Sequence, residues 1–266
     1  MSLGWFDVGD ILTSLDEHGV ATVTISNPTR MNAMKLSMWR KLAETMATLS
    51  ADANTRVIVL RGDGEAAFVS GADISEFNAV RSTPDDVAVY DACVEAAEAA
   101  VGACTKPVIA AISGVCYGGG LGIALSCDLR YANHEARFCL PAGKLGLGYA
   151  LEDVQRLQRV LGSARTAELI YTAKVYRGRE AVDVGMAHDC VDDVMAHAQK
   201  QAELVAGFAP LTLRSVKMAL QHIDGLANAP DQADVKQAVQ ACFDSEDYAE
   251  GRLAFSQKRP PVFKGR

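Results

Sequence analysis

Apolar positions follow two different periods along the chain. Over residues 19–26 (GVATVTIS) they alternate and are largely β-branched, which predicts a strand that Asn27 and Pro28 bring to an end. Over residues 36–49 the apolar residues Leu36, Trp39, Leu42, Ala43, Met46 and Leu49 recur at spacings of three and four. That pattern predicts a helix, with Ser37 as a candidate cap. The run at 56–61 (RVIVLR) is short and apolar, as in a strand buried on both faces, and the loop Gly62-Asp63-Gly64 follows it. Strand, helix and strand in this order predict an α/β fold.

Residues 68–77 (FVSGADISEF) read as a glycine-bearing loop and 85–102 as an alanine-rich helix. Residues 107–112 (PVIAAI) form a second buried-strand pattern that runs into Gly114 and then Gly118, Gly119 and Gly120. The segment 121–127 is small and apolar, as a buried helix would be, and two short strands are expected at 128–132 and 136–140. From Asp153 onward the pattern is helical apart from a strand-like piece at 188–191. The last helices fall at 195–208, 211–222, 232–243 and 245–258, separated by Pro210 and the loop 225–230. The organisation implied is an α/β core over 1–194 and a helical region over 195–266, with no internal sequence repeat or low-complexity tract.

With 49% hydrophobic and 22% charged residues, the 266-residue chain carries enough apolar material for a globular core. The 33 acids against 26 bases give a net charge of −7, which argues against a broad nucleic-acid or anionic-membrane surface. No apolar run approaches the roughly 18 residues of a membrane span. The start, MSLGWFDVGD, lacks the basic and apolar regions of a secretory leader, so a soluble cytoplasmic protein is expected. The seven cysteines contain no C-x-x-C pair and read as reduced core residues, and the five scattered histidines form no ligand spacing, so no metal site is expected.

The strand-loop-helix at 107–127 is where chemistry concentrates. Three glycines at a helix start let the backbone approach a ligand, and the free N–H groups of the first turn favour negative charge. The spacing does not fit G-x-G-x-x-G, since position 123 is Ile, nor the P-loop pattern, and no G-x-S-x-G elbow occurs. On residue types alone an anion or oxyanion site and a simple packing loop both remain open.

Several segments in order resemble the crotonase (enoyl-CoA hydratase/isomerase) superfamily. They are the strand and N-A-M at 20–34, FVSGADI at 68–74, KPVIAAISG at 106–114, YGGGLG at 117–122, CDLRYA at 127–132, FCLP at 138–141 and LGLG at 145–148. The resemblance implies an α/β spiral of ββα turns followed by C-terminal helices that form a homotrimer, often a dimer of trimers. It also implies an acyl-CoA thioester substrate whose coenzyme A serves as part of the substrate, with no separate cofactor. The thioester oxygen would lie between the backbone N–H groups of Ala72 and Gly119. Coenzyme A contacts carry over to Arg30, Ala33, Ala72, Ile74, Phe255 and Lys258, the last two reaching a neighbouring subunit. Ser75 departs from the pattern, where many relatives place a basic residue.

In hydratases of the family a glutamate sits three residues after the oxyanion glycine and a second follows the proline of the next strand. Here those positions hold Gly122 and Ala142. The resemblance directs the search for a substitute acid to the segment LGLGYALED, where Glu152 and Asp153 are candidates, with Tyr149 and Tyr117 as hydroxyl donors. Acids in a first helical turn also serve as ordinary capping residues. For Asp73 and Asp128 structural hydrogen bonding is the expected role. The function expected is an enolate-stabilising acyl-CoA enzyme carrying out hydration, isomerisation, decarboxylation or ring cleavage, with two-glutamate hydration disfavoured. The alternative is a non-catalytic acyl-CoA-binding homologue or assembly subunit.

Overall fold

The computed structural model describes residues 9–225 and 229–266. Residues 1–8, on which much of the leader reading rests, and 226–228, inside the loop expected at 225–230, lie outside the described residues. The chain opens with β1 (Asp10–Leu15) and β2 (Val20–Ser26), an antiparallel pair. No strand was expected at β1, because only Ile11 on it is buried and no alternation shows. Helix α1 (Leu36–Ala51) follows, burying Met38, Trp39, Leu42 and Met46. Its start is capped from a distance. The Leu36 N–H donates to Glu76 Oε1 at 2.5 Å, and no cap bond comes from Ser37 as expected.

Three strand-strand-helix turns then succeed one another. β3 (Val57–Gly62) and β4 (Ala67–Val69) lead to α2 (Phe77–Val80) and the longer α3 (Pro84–Ala103). β5 (Val108–Ile112) and β6 (Val115–Tyr117) lead to α4 (Gly119–Ser126). β7 (Leu129–Asn133) and β8 (Arg137–Cys139) lead through α5 (Ala142–Leu145) to α6 (Leu151–Thr172), which bends at Gly162, where φ is +70°. After α6 come β9 (Tyr176–Arg177), α7 (Gly178–Asp183) and β10 (Asp189–Val191). The first strand of each turn enters a six-stranded sheet in the order β1-β2-β3-β5-β7-β10, and the second enters a four-stranded sheet in the order β4-β6-β8-β9. The repeat is one of topology, and it leaves no sequence repeat. Strands as short as β4, β6 and β9 have too few residues to show a period.

The continuous apolar runs have the cause expected of them. On β3, Ile58 and Leu60 face the main core while Val57 and Val59 face a second one. On β5, Val108, Ala110 and Ile112 face the main core, and Ile109 with Ala111 face the other side. A strand covered on both sides cannot alternate with polar residues. The second core is closed by α8 (Val194–Ala206), whose buried Val194, Ala198, Ala202 and Ala206 recur every fourth residue.

The last helices are α9 (Pro210–Ile223), α10 (Gln232–Phe243) and α11 (Glu246–Gln257). Lys217 on α9 ties them to the core by donating to Asp128 Oδ2 at 2.7 Å and to the Lys106 carbonyl at 2.9 Å. Apolar residues such as Leu220, Ile223, Phe243 and Phe255 on these helices remain exposed. All seven cysteines are free, five of them buried, and burial pushes the Cys127 thiol up to about 12. Among the described residues no helix is long and apolar enough to cross a membrane.

Candidate active site

Strands β4 and β6 are parallel neighbours, with Ala67 opposite Val115 and Val69 opposite Cys116. The segments that follow them therefore leave the same end of the sheet side by side. Glycines make this approach feasible. Gly71 adopts φ +112° and Gly118 φ +52°, a region that L side chains seldom enter. A Cβ on Gly120 would stand 2.2 Å from the Val69 carbonyl, and one on Gly119 would stand 2.9 Å from the Trp39 ring. The Gly118 N–H donates to the Cys139 carbonyl at 3.0 Å, which holds the glycine loop to β8.

Ala72 sits in a single parallel bridge with Met34, made by Met34 N–H to the Gly71 carbonyl and Asp73 N–H to the Met34 carbonyl, each at 2.8 Å. Such a bridge uses the residues on either side of Ala72 and turns its own N–H the other way. Among the described residues, the N–H groups of Ala72 and Gly119 have no hydrogen-bond acceptor. Both residues line one cavity of about 220 Å³.

The N-A-M segment supports this rim. Asn32, at φ +55°, is buried, and its side-chain N–H groups donate to the carbonyls of Asp63 and Ala67, fixing the loop to the start of β4. Ser70 N–H donates to the Met31 carbonyl and Ser70 Oγ to the Arg30 carbonyl. Exposed Arg30, buried Ala33, Ala72 and the exposed Ile74 are thereby gathered at one edge, where Ala72 and Ile74 line the cavity. Phe255 and Lys258 are exposed on and just beyond α11 and do not line it. Asp73 is spent on structure: its Oδ1 accepts from the Ser75 N–H and Oγ. Asp128 likewise accepts from the Val108 N–H and from Lys217.

The same cavity holds a carboxylate that sequence patterning did not single out. Glu98 on α3 is 3% exposed and lines the cavity beside Gly122 of α4. A Cβ placed on Gly122 would lie 1.9 Å from Glu98 Oε1 and 2.7 Å from its Cδ, so Glu98 fills the volume that a side chain at 122 would need. Arg156 Nη1 donates to Glu98 Oε2 at 2.5 Å and to Asp153 Oδ1 at 2.9 Å. Burial pushes the Glu98 carboxyl up to about 8 in spite of the pull of Arg156, and the Asp153 carboxylate adds to the rise.

The residues expected to supply the acid are divided by the geometry. Tyr149 lines the cavity, and burial pushes its phenol well above the ordinary value. Asp153 lines it as the partner of Arg156. Glu152 is exposed and lines a second cavity with Glu95, Gln155 and Arg159, one that Glu98 and Arg156 also border. Neither Glu152 nor Tyr117 is among the residues lining the cavity of Ala72 and Gly119. Ala142, buried at the start of α5, lines the cavity without a polar side chain. The missed signal for Glu98 was an acid on the buried stripe of α3, which otherwise carries Tyr90, Ala97 and Val101.

Comparison with known proteins gives a consistent result. The family model for enoyl-CoA hydratase/isomerase matches residues 16–266. The short-chain-enoyl-CoA hydratase of Clostridium acetobutylicum is 31% identical over 250 residues, covering 92% of this chain and 94% of that protein. A crystal structure of an enoyl-CoA hydratase/carnithine racemase from Magnetospirillum magneticum superposes with a TM-score of 0.89 at 36% identity, covering 96% of this chain and 97% of that one. An enoyl-CoA hydratase structure from Bacillus anthracis gives the same TM-score at 29% identity, with 96% and 99% covered.

Proposed function

The chain belongs to the enoyl-CoA hydratase/isomerase family, and from that premise we propose that it binds an acyl-CoA thioester and stabilises its enolate between the N–H groups of Ala72 and Gly119. The observation that carries this reading is the pair of acceptor-free amides, delivered by two adjacent parallel strands to one cavity. A thioester oxygen seated there would gain two hydrogen bonds that strengthen as it becomes negative. In comparable sites one such donor contributes roughly 2.7–4 kcal/mol to the transition state. Arg30, Ala33 and Ile74 at the rim would meet the coenzyme A portion, which is substrate, so no separate cofactor is called for.

Hydration by a pair of glutamates is not the reaction we propose, because positions 122 and 142 carry Gly and Ala. We also propose a homotrimer or a dimer of trimers, in which the exposed apolar faces of α9 to α11 are covered and Phe255 and Lys258 approach a neighbour's substrate. Two measurements test the reading. Titration with acetoacetyl-CoA should raise the enolate absorbance on binding, and failure to bind would overturn it. Crotonyl-CoA should lose its conjugated absorbance far more slowly than with an ordinary hydratase, and rapid loss would sink the statement on hydration. Binding of many acyl-CoAs with no product from any would favour the non-catalytic alternative.

A further inference from the structure

Resting on the acyl-CoA reading above, we infer that Glu98 is the acid/base residue of this site, a carboxylate supplied by α3 through the gap at Gly122, and that it moves a proton along a β,γ-unsaturated acyl chain. Two observations converge on it. The first is Gly122 itself. A glycine inside a helix costs about 1 kcal/mol against alanine, and φ at this position is not one that demands glycine. A Cβ there would lie 1.9 Å from Glu98 Oε1, so the carboxylate keeps its present place only while position 122 has no side chain. The second is the fixing of the carboxylate. Arg156 holds Oε2 at 2.5 Å and is itself held by Asp153, so Arg156 and Asp153 act as positioning residues.

The groups around Glu98 fit a single proton carrier. From α6 it faces Arg156 and Asp153, from the segment before α6 Tyr149, and from α4 no ionisable group; it also borders a second cavity with Glu95 of its own helix, Glu152 and Arg159 of α6 and Asp224 after α9. Elsewhere on the cavity wall Asp91 is paired with Arg81 at 3.0 Å, with the Tyr90 ring under that guanidinium. Ala142 offers no second carboxylate.

One carboxylate can carry one proton between two carbons, whereas adding water requires both activation of the water and protonation of carbon. The step balances without any co-reactant. Ionised Glu98 takes the α-proton of a 3-enoyl thioester, and the electron pair spreads into a dienolate whose oxygen rests on the two amides. The same carboxyl then returns the proton to the γ-carbon, leaving the double bond conjugated with the thioester. Burial that raises the carboxyl brings its proton affinity nearer to that of working pH.

Hex-3-enoyl-CoA is the probe, with conversion followed by the conjugated thioester absorbance, binding by calorimetry and folding by thermal melting on the same samples. The wild type should convert it, with kcat/KM rising toward pH 8. Glu98→Gln should melt normally, bind within about threefold of the wild type and lose roughly 10²–10⁴-fold in kcat together with the pH limb. Glu98→Ala combined with Gly122→Glu, which returns the carboxylate to α4, should recover at least about tenfold over Glu98→Ala alone, a rescue that a purely structural role for Glu98 would not produce. Glu98→Gln activity within threefold of the wild type overturns the inference and leaves the acyl-CoA reading standing, as does wild-type binding without conversion. No binding of the probe by the wild type overturns both.

Discussion

Two regions of the cavity wall are built from different materials. In one, Ala72 and Gly119 present main-chain N–H groups, placed by the register of β4 and β6 and by glycines at 119 and 120 whose neighbours leave no room for a side chain. In the other, Glu98, Arg156 and Asp153 present side chains from α3 and α6. A backbone donor moves only if a sheet moves. A carboxylate can pass from one helix to another once a residue is emptied on the first and filled on the second. The contrast shows that main-chain groups in this cavity are fixed by sheet register, while its side chains depend on how the helices pack.

The sharpest way to break the main-chain region is Gly120→Ala. Its Cβ would stand 2.2 Å from a main-chain carbonyl and 2.8 Å from Val69 Cβ, neither of which can swing aside. The expected cost is about 3 kcal/mol or more, read as a drop in Tm of roughly 5–10 °C, although no polar atom is altered. In the side-chain region the telling quantity is the pH dependence of stability. The folded Glu98 carboxyl, raised to about 8 from an ordinary 4.5, binds its proton more tightly than the unfolded chain does. Its contribution is therefore complete below about pH 4.5 and is lost as pH rises through 8, with a slope of at most about 1.4 kcal/mol per pH unit. Denaturant midpoints between pH 5 and 9 should fall in the wild type and flatten in Glu98→Gln; parallel curves would remove the basis for a buried, proton-holding carboxyl.

Smaller effects sharpen the same contrast. Glu76→Ala should cost about 1 kcal/mol in chemical denaturation, because Glu76 supplies the cap of α1, while Ser37→Ala should stay within about 0.5 kcal/mol. The smallest effect is expected from Glu152→Gln. An exposed carboxylate lining another cavity should change kcat on an acyl-CoA substrate by less than about twofold and stability by under about 0.5 kcal/mol. A loss of two orders of magnitude would return the acid role to α6.

Much of the fold was legible residue by residue. The buried strands at 57–62 and 108–112 announced themselves through runs in which both faces are apolar, and the end of α10 falls at Phe243, where the spacing put it. What escaped were β1, too one-sided to show a period, and the short β4, β6 and β9, whose pairing depends on partners far along the chain. The cap of α1 escaped for the same reason: the carboxylate that completes it belongs to a turn forty residues on.

The site divides along the same line. The sequence by itself marked the glycine loop and the S-G-A-D segment, because local backbone conformation leaves marks in residue type, whereas the pairing of β4 with β6 that brings the two segments together does not show in it. Only the tertiary structure decided that Glu98 enters the cavity and Glu152 does not. Each is an acid on a helix, and a helix pattern says which residues share a face without saying what that face meets. The meeting of α3 with α4, where a missing Cβ on one makes room for a carboxylate on the other, is a long-range packing fact that no local pattern encodes.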